Sequence, residues 1–149
     1  MSFKLSERSL DRLNGVDQNL VDVVKRAINL TEIDFGVSEG LRTLERQKEL
    51  VEKGASQTLK SKHISGMAVD LVAYIGPRVS WELKVYDDIA DAIRQASKEL
   101  EVTIRWGAAW HKNLTDSDMT SEDLMNEYID LRRSQSRRPF IDAPHFELA

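Results

Sequence analysis

At 149 residues with 41% hydrophobic side chains, the chain has the size of one domain with an ordinary core. Lys+Arg 21 against Asp+Glu 25 leaves a net charge of -4, which speaks against a nucleic-acid footprint, since that needs a basic face. The absence of cysteine excludes disulfides, a thiolate nucleophile and any Cys-based zinc site, so a bound metal would have to sit on histidine, carboxylate and water.

Met1 to Leu10 is polar and lacks an apolar stretch of the kind a secretory signal carries. No apolar run approaches a membrane span, so no membrane insertion is expected. Asp17 to Leu30 places Leu20, Val24, Ala27 and Ile28 on one helical face, with Asp17 as its N-cap. Ile33 to Glu39 alternates and reads as a strand. Thr43 caps a helix with Arg46 at its third position, running to Val51 and ended by Gly54. Residues 55 to 66 form a polar loop. Met67 to Tyr74 is apolar on both sides of Asp70, a buried strand interrupted by one carboxylate. Ser80 is placed to cap a long helix that turns Tyr86, Ile89, Ala90, Ile93, Ala96 and Leu100 inward. Val102 to Trp106 reads as a strand and Gly107 to Met119 as a loop. Thr120 caps a helix striped by Leu124, Met125, Tyr128 and Leu131, with Asp123 completing a weak capping box. Arg132 to Arg138 is a basic stretch expected to be mobile, and Phe140 to Leu148 a final strand. The order of elements predicts an α+β fold with a small, mostly antiparallel sheet flanked by helices.

Two segments carry chemistry: Ser61-Lys62-His63-Ile64-Ser65-Gly66-Met67-Ala68-Val69-Asp70 and Asp142-Ala143-Pro144-His145-Phe146-Glu147-Leu148. A lone buried carboxylate costs several kcal/mol unless it is paired or bound to metal. Strand alternation points Asp70 away from the face of Val69 and Leu71, and Gly66 can turn the chain so that His63 meets it. On residue chemistry alone, His63 and Asp70 form either an ordinary hydrogen-bonded pair or two metal ligands. A third ligand must come from elsewhere, and the remaining histidines are His111, read as a solvated loop residue, and His145. Two His and one carboxylate with an open position is the ligand set of a catalytic zinc site, not of a closed structural one. Trp106 and Trp110 either line a cleft or pack in the core.

The pattern Ser61-x-His63-x-x-Gly66-x-Ala68-x-Asp70, followed by Asp142-x-x-His145-x-Glu147, resembles the D-Ala-D-Ala metallopeptidases, zinc peptidases related to lysostaphin and to the hedgehog signalling domain. Within them it is most similar to the bacteriophage L-alanyl-D-glutamate endopeptidases. Met1-Ser2-Phe3-Lys4, Glu39-Gly40-Leu41-Arg42-Thr43 and Arg105-Trp106-Gly107-Ala108-Ala109-Trp110 extend the resemblance over almost the whole chain.

The resemblance implies one Zn2+ per chain, held by His63, Asp70 and His145. It makes Asp142 the catalytic carboxylate, Arg42 a substrate-side arginine, Gln47 a polar companion to it, and Ser61 a substrate contact or loop former. Residue chemistry agrees: Arg42 suits a bidentate grip on a substrate carboxylate or an ion pair with Glu39 or Glu45. Asp142 is a general base or a turn residue before Pro144. Glu147 shares strand parity with His145 and is placed to orient it or to face solvent. Asn113, Asp116, Asp118, Glu122 and Glu127 suggest a regulatory Ca2+ loop, but Ser121 stands where an EF-hand needs glycine, so a solvated, helix-capping loop is expected. The implied protein is a monomeric phage endolysin, a single catalytic domain over 1–149 without a separate wall-binding domain. It would act on bacterial peptidoglycan, made in the host cytoplasm and reaching the wall through a holin lesion. The alternatives are a D-Ala-D-Ala carboxypeptidase or dipeptidase on the same scaffold, and a non-catalytic zinc-bearing binding module.

Overall fold

The computed structural model describes residues 3–56, 58 and 60–149. Met1 and Ser2 of the opening segment, and Gln57 and Leu59 of the polar loop, lie outside the described residues. In chain order the elements are α1 (Glu7–Arg12), α2 (Gln18–Leu30), β1 (Asp34–Glu39), α3 (Leu44–Glu52), β2 (Ala68–Ile75), β3 (Arg78–Ser80), α4 (Leu83–Leu100), β4 (Ile104–Trp106), α5 (Ser121–Ser134) and β5 (His145–Leu148). The fold is α+β, as the order of elements predicts.

Capping chemistry sets most helix starts. Asp17 accepts from the Asn19 N–H, Thr43 from Arg46 and Thr120 from Asp123, each satisfying a donor left open in the first turn. Helix α1 is new relative to the sequence reading, because six residues are too few to show a period. Ser6 caps it, and its buried Ser9 Oγ accepts from the Val37 N–H at 2.9 Å, tying α1 to β1.

The strands pair antiparallel in the order β1-β2-β5-β4, with β3 on the far half of β2. Val69, Leu71 and Ala73 on β2 join the core built with the apolar faces of α2 and α4. Asp70 shares the other face with Val72, as alternation requires. The register places Asp70 opposite Glu39 of β1 and opposite His145 of β5. An irregularity between Val37 and Glu39 makes this possible. One extra residue on β1 reverses its parity, so Glu39 rather than Ser38 stands beside Asp70. No helix among the described residues is long and apolar enough to cross a membrane.

Several expectations need correction. Ser80 does not cap α4; it ends the short strand β3, and the cap position falls to Glu82, which makes no side-chain cap. Leu100 and Leu131 are 42% and 40% exposed, because each lies in the last turns of its helix, beyond the packed part. Arg132 to Ser134 belong to α5 instead of a mobile stretch. The last strand starts at His145, since Pro144 lacks an N–H for the ladder and the preceding residues make a turn.

Asp87 lies in α4 at 5% exposure, and its Oδ1 has no hydrogen-bond partner among the described residues. Burial, with the nearby charges of Glu122, Asp88 and Asp91, pushes its carboxyl up to about 7 against the opposing pull of Lys84. The folded protein thus holds a proton that the unfolded chain releases above about 4. This contribution is fully present below that value and is lost as pH rises through about 7. Asp87→Asn removes the ionisation, so it should stabilise the fold at pH 8, by on the order of 3 kcal/mol, and change little at pH 4. Denaturant titrations of both proteins at the two pH values check this; an equal effect at both would rule it out.

Candidate metal centre and its cleft

The centre is assembled by a loop, the middle of the sheet and the last strand. His63 is 1% exposed, and its Nδ1 contacts the Gly40 carbonyl at 2.8 Å. That fixes Nδ1 as the donor and turns Nε2 toward Asp70 Oδ1, 3.2 Å away. His145 is held the other way round. Its Nε2 contacts Glu147 Oε1 at 2.8 Å, and its Nδ1 faces the same Asp70 Oδ1 at 3.2 Å. Each imidazole therefore has one nitrogen tied to an oriented acceptor and one lone pair aimed inward. Ligand atoms of His63, Asp70 and His145 all lie within 4.8 Å of one another. This donor set fits a divalent metal: two neutral nitrogens, one carboxylate oxygen and a side open to the cleft.

The loop bearing His63 is seated on the turn between α1 and α2. The Asp17 N–H donates to the Gly66 carbonyl at 2.8 Å, and Gly66 takes φ +72. A Cβ there would stand 2.3 Å from the Gly15 carbonyl, so only glycine allows this approach. The Asp142 to His145 segment is clamped in the same manner by Gly107. Its N–H donates to the His145 carbonyl at 2.8 Å and its carbonyl accepts from the Asp142 N–H at 2.8 Å.

The centre opens into a cleft of about 690 Å³. Asp142 lines it but stands outside the ligand group. Burial raises the Asp142 carboxyl, and the charge of Asp70 raises it further, while His145, His63 and Arg42 oppose the shift. Trp110 lines the cleft, its ring 5.4 Å from that of His145 and 6.2 Å from that of Phe140. Trp106 is core: it is fully buried, stacks on Phe146 and donates to the Ala143 carbonyl at 2.7 Å.

The other candidate residues take definite places. Arg42 is 8% exposed and meets Glu39 through Nε and Nη2 at 2.5 and 2.8 Å. Its Nη1 donates to Gln47 Oε1 at 2.6 Å, and Nη2 lies 3.6 Å from Asp70 Oδ2. Gln47 is wholly buried and donates onward to Ser56 Oγ and the Thr58 carbonyl, so it braces Arg42 and the loop from behind. Ser61 lines the cleft while its Oγ accepts from the His63 N–H at 3.2 Å, a loop-forming contact.

His111 is not a solvated loop residue. Its side chain is 9% exposed, its Nε2 contacts Glu127 Oε1 at 2.8 Å, and its ring packs on Tyr128. The acidic loop does not gather into one site among the described residues. Asn113 Oδ1 accepts from Arg105, Asp118 pairs with Lys98, Glu127 pairs with His111 and Lys112, and Ser121 to Glu127 lie within α5. Sequence reasoning missed Lys62, whose Nζ holds Glu147 Oε2 at 3.2 Å, and the Gly40 carbonyl behind His63. The position of Lys62 beside a ligand was the only signal for the first; a backbone carbonyl leaves none.

Burial alone would lower the basicity of His145, but hydrogen bonds to Asp70 and Glu147, with the charges of Asp70 and Asp142, raise it to about 9. Burial would likewise raise Asp70, and the contacts with His145 and His63 outweigh it, holding the carboxyl well below its ordinary range. The centre is thus built to hold positive charge. Without a metal that charge would be a proton on His145, on a nitrogen that a metal ligand must give up.

The profile of the phage L-alanyl-D-glutamate peptidase family matches residues 1–149. The L-alanyl-D-glutamate peptidase of Escherichia phage T5 is 36% identical over 115 residues, which are 74% of this chain and 84% of that protein. The L-alanyl-D-glutamate peptidase of Listeria phage A118 is 30% identical over 106 residues, 69% of this chain but 37% of that longer protein. In three dimensions the chain is similar to the crystal structure of the Serratia marcescens L-Ala D-Glu endopeptidase ChiX. The TM-score is 0.75 at 35% identity, covering 99% of this chain and 91% of that one.

Because His145 holds its proton up to about pH 9, metal loading at pH 7 should release a proton. Calorimetric titration with Zn2+ in buffers of differing ionisation enthalpy should show a heat that depends on the buffer. A heat independent of the buffer would place the metal elsewhere.

Proposed function

We propose, since the chain belongs to the phage L-alanyl-D-glutamate peptidase family, that it is a zinc endopeptidase cutting peptidoglycan stem peptides between L-Ala and D-Glu. The observation that carries the zinc assignment is the convergence of His63 Nε2 and His145 Nδ1 on one oxygen of Asp70. Zinc held there would lower the pKa of a water to about 7 and polarise the scissile carbonyl.

The residues of the chain supply the rest. Asp142 takes the proton of the attacking water and returns it to the leaving amine. Its raised basicity suits that exchange, because a carboxyl poised nearer neutrality gives and takes a proton more evenly. Glu147 and the Gly40 carbonyl keep the imidazoles facing inward, and Lys62 keeps Glu147 in place. Trp110 and Phe140 form an apolar side of the cleft against which a small side chain such as that of alanine can rest. Arg42 and Gln47 hold the Glu39–Asp70 side of the centre. The setting we infer is phage-driven lysis of the host, with passage to the wall through a holin lesion and activity as a monomer.

Asp142→Asn keeps the shape and removes the proton acceptor. Turnover should fall by about 10²–10⁴-fold, with zinc content and melting temperature near wild type. Turbidity loss on permeabilised cells, zinc content by atomic absorption and mass spectrometry of the released muropeptides check this together. Retained turnover would remove Asp142 from the chemistry, and lost zinc would make it a ligand. A chelator should stop lysis and added Zn2+ restore it.

A further inference from the structure

Three long-chain cations line the cleft, Arg42, Lys60 and Lys62, together with four carboxylates, Glu39, Asp70, Asp142 and Glu147. Arg42 is occupied by Glu39 and Gln47, at 8% exposure. Lys62 is occupied by Glu147 and by the Leu148 carbonyl. Lys60 is exposed and makes no ion pair among the described residues. Its backbone is hydrogen-bonded within the loop. The Lys60 N–H donates to Thr58 Oγ1 at 2.9 Å, and the next residue, Ser61, accepts from the His63 N–H at 3.2 Å. Lys60 therefore hangs at the cleft from the same loop that carries a metal ligand.

In a cleft whose other long-chain cations are already paired, Lys60 is the uncommitted cation that can receive a free substrate carboxylate. Glutamate has two carboxyl groups, and continuing the chain uses one. Unless it is amidated, the residue after an L-Ala–D-Glu bond thus presents a free carboxylate. We propose that Lys60 reads this carboxylate and is the specificity-determining residue of the cleft, while Arg42 is a positioning residue. The inference rests on the endopeptidase reading above. It assigns the contact to a point charge on a flexible stem, which reaches a ligand without breaking an existing pair.

The test compares two synthetic stem peptides that differ only in this group, one with the free carboxylate and one with it amidated. Wild type should favour the carboxylate form by about tenfold or more in kcat/KM, chiefly through KM, as one charge-assisted contact supplies. In Lys60→Gln the ratio should collapse toward one, in Lys60→Arg it should persist, and in Lys60→Glu it should reverse. Zinc content should be equal in all four proteins. An unchanged ratio in Lys60→Gln overturns the assignment, as does a ratio lost through kcat together with lost zinc, which would mark Lys60 as structural. Failure of wild type to cut either peptide overturns the endopeptidase reading itself, and this assignment with it.

Discussion

A carboxylate placed in the middle strand of a sheet is the constraint on which this molecule is organised. Asp70 sits between β1 and β5, with Glu39 opposite on one side and His145 on the other. A negative charge that is largely withdrawn from water, with its side chain 21% exposed, is tolerated only beside positive charge and donors. The protein answers with two imidazoles and a guanidinium converging on one side chain. Removing any of them leaves Asp70 less well compensated. The grouping that could hold a metal ion and the tolerance of this partly buried carboxylate are thus two expressions of one electrostatic arrangement.

The supporting shell converts that electrostatic need into geometry. Each group that touches Asp70 is itself held by a second group: His63 by the Gly40 carbonyl, His145 by Glu147, Glu147 by Lys62, and Arg42 by Glu39 and Gln47. The close approaches at Gly66 and Gly107 lock the two ligand-bearing segments onto backbone from elsewhere in the chain. Such preorganisation holds His63, Asp70 and His145 in one arrangement at the floor of a cleft of mixed charge that Lys60, Trp110 and Phe140 also line.

Much of this was legible in the sequence, for identifiable reasons. The caps at Asp17, Thr43 and Thr120 and the stripes of α2 and α4 are local signals, and the structure reproduces them. The ligand candidates could be picked out because histidines are few and Asp70 interrupts an apolar run. What was hidden depends on distant partners. The burial of His111 depends on Glu127 and Tyr128 of α5, and the core position of Trp106 on Phe146 and Ala143. The sequence left Arg42 open between a substrate grip and an ion pair with Glu39 or Glu45, and the structure shows the Glu39 pair, with Glu39 set beside Asp70 by a bulge in β1. Helix α1 was too short to show a pattern, yet the turn that follows it is the seat of the His63 loop.

Strand order adds a consequence for how the molecule opens. β5 lies between β2 and β4, so β4 reaches the rest of the sheet only through β5. The contact between Asp70 and His145 closes a span of 75 residues. Pairing across so long a span is repaid only after its entropy has been lost, which makes the β2–β5 seam slow to close. The seam is also the line along which like charges would meet if the central positive charge were withdrawn. Local opening is therefore expected to begin there. A chain stripped of both metal and proton would show it as fast amide exchange in β5 and β4, while α2 and α4 stay protected.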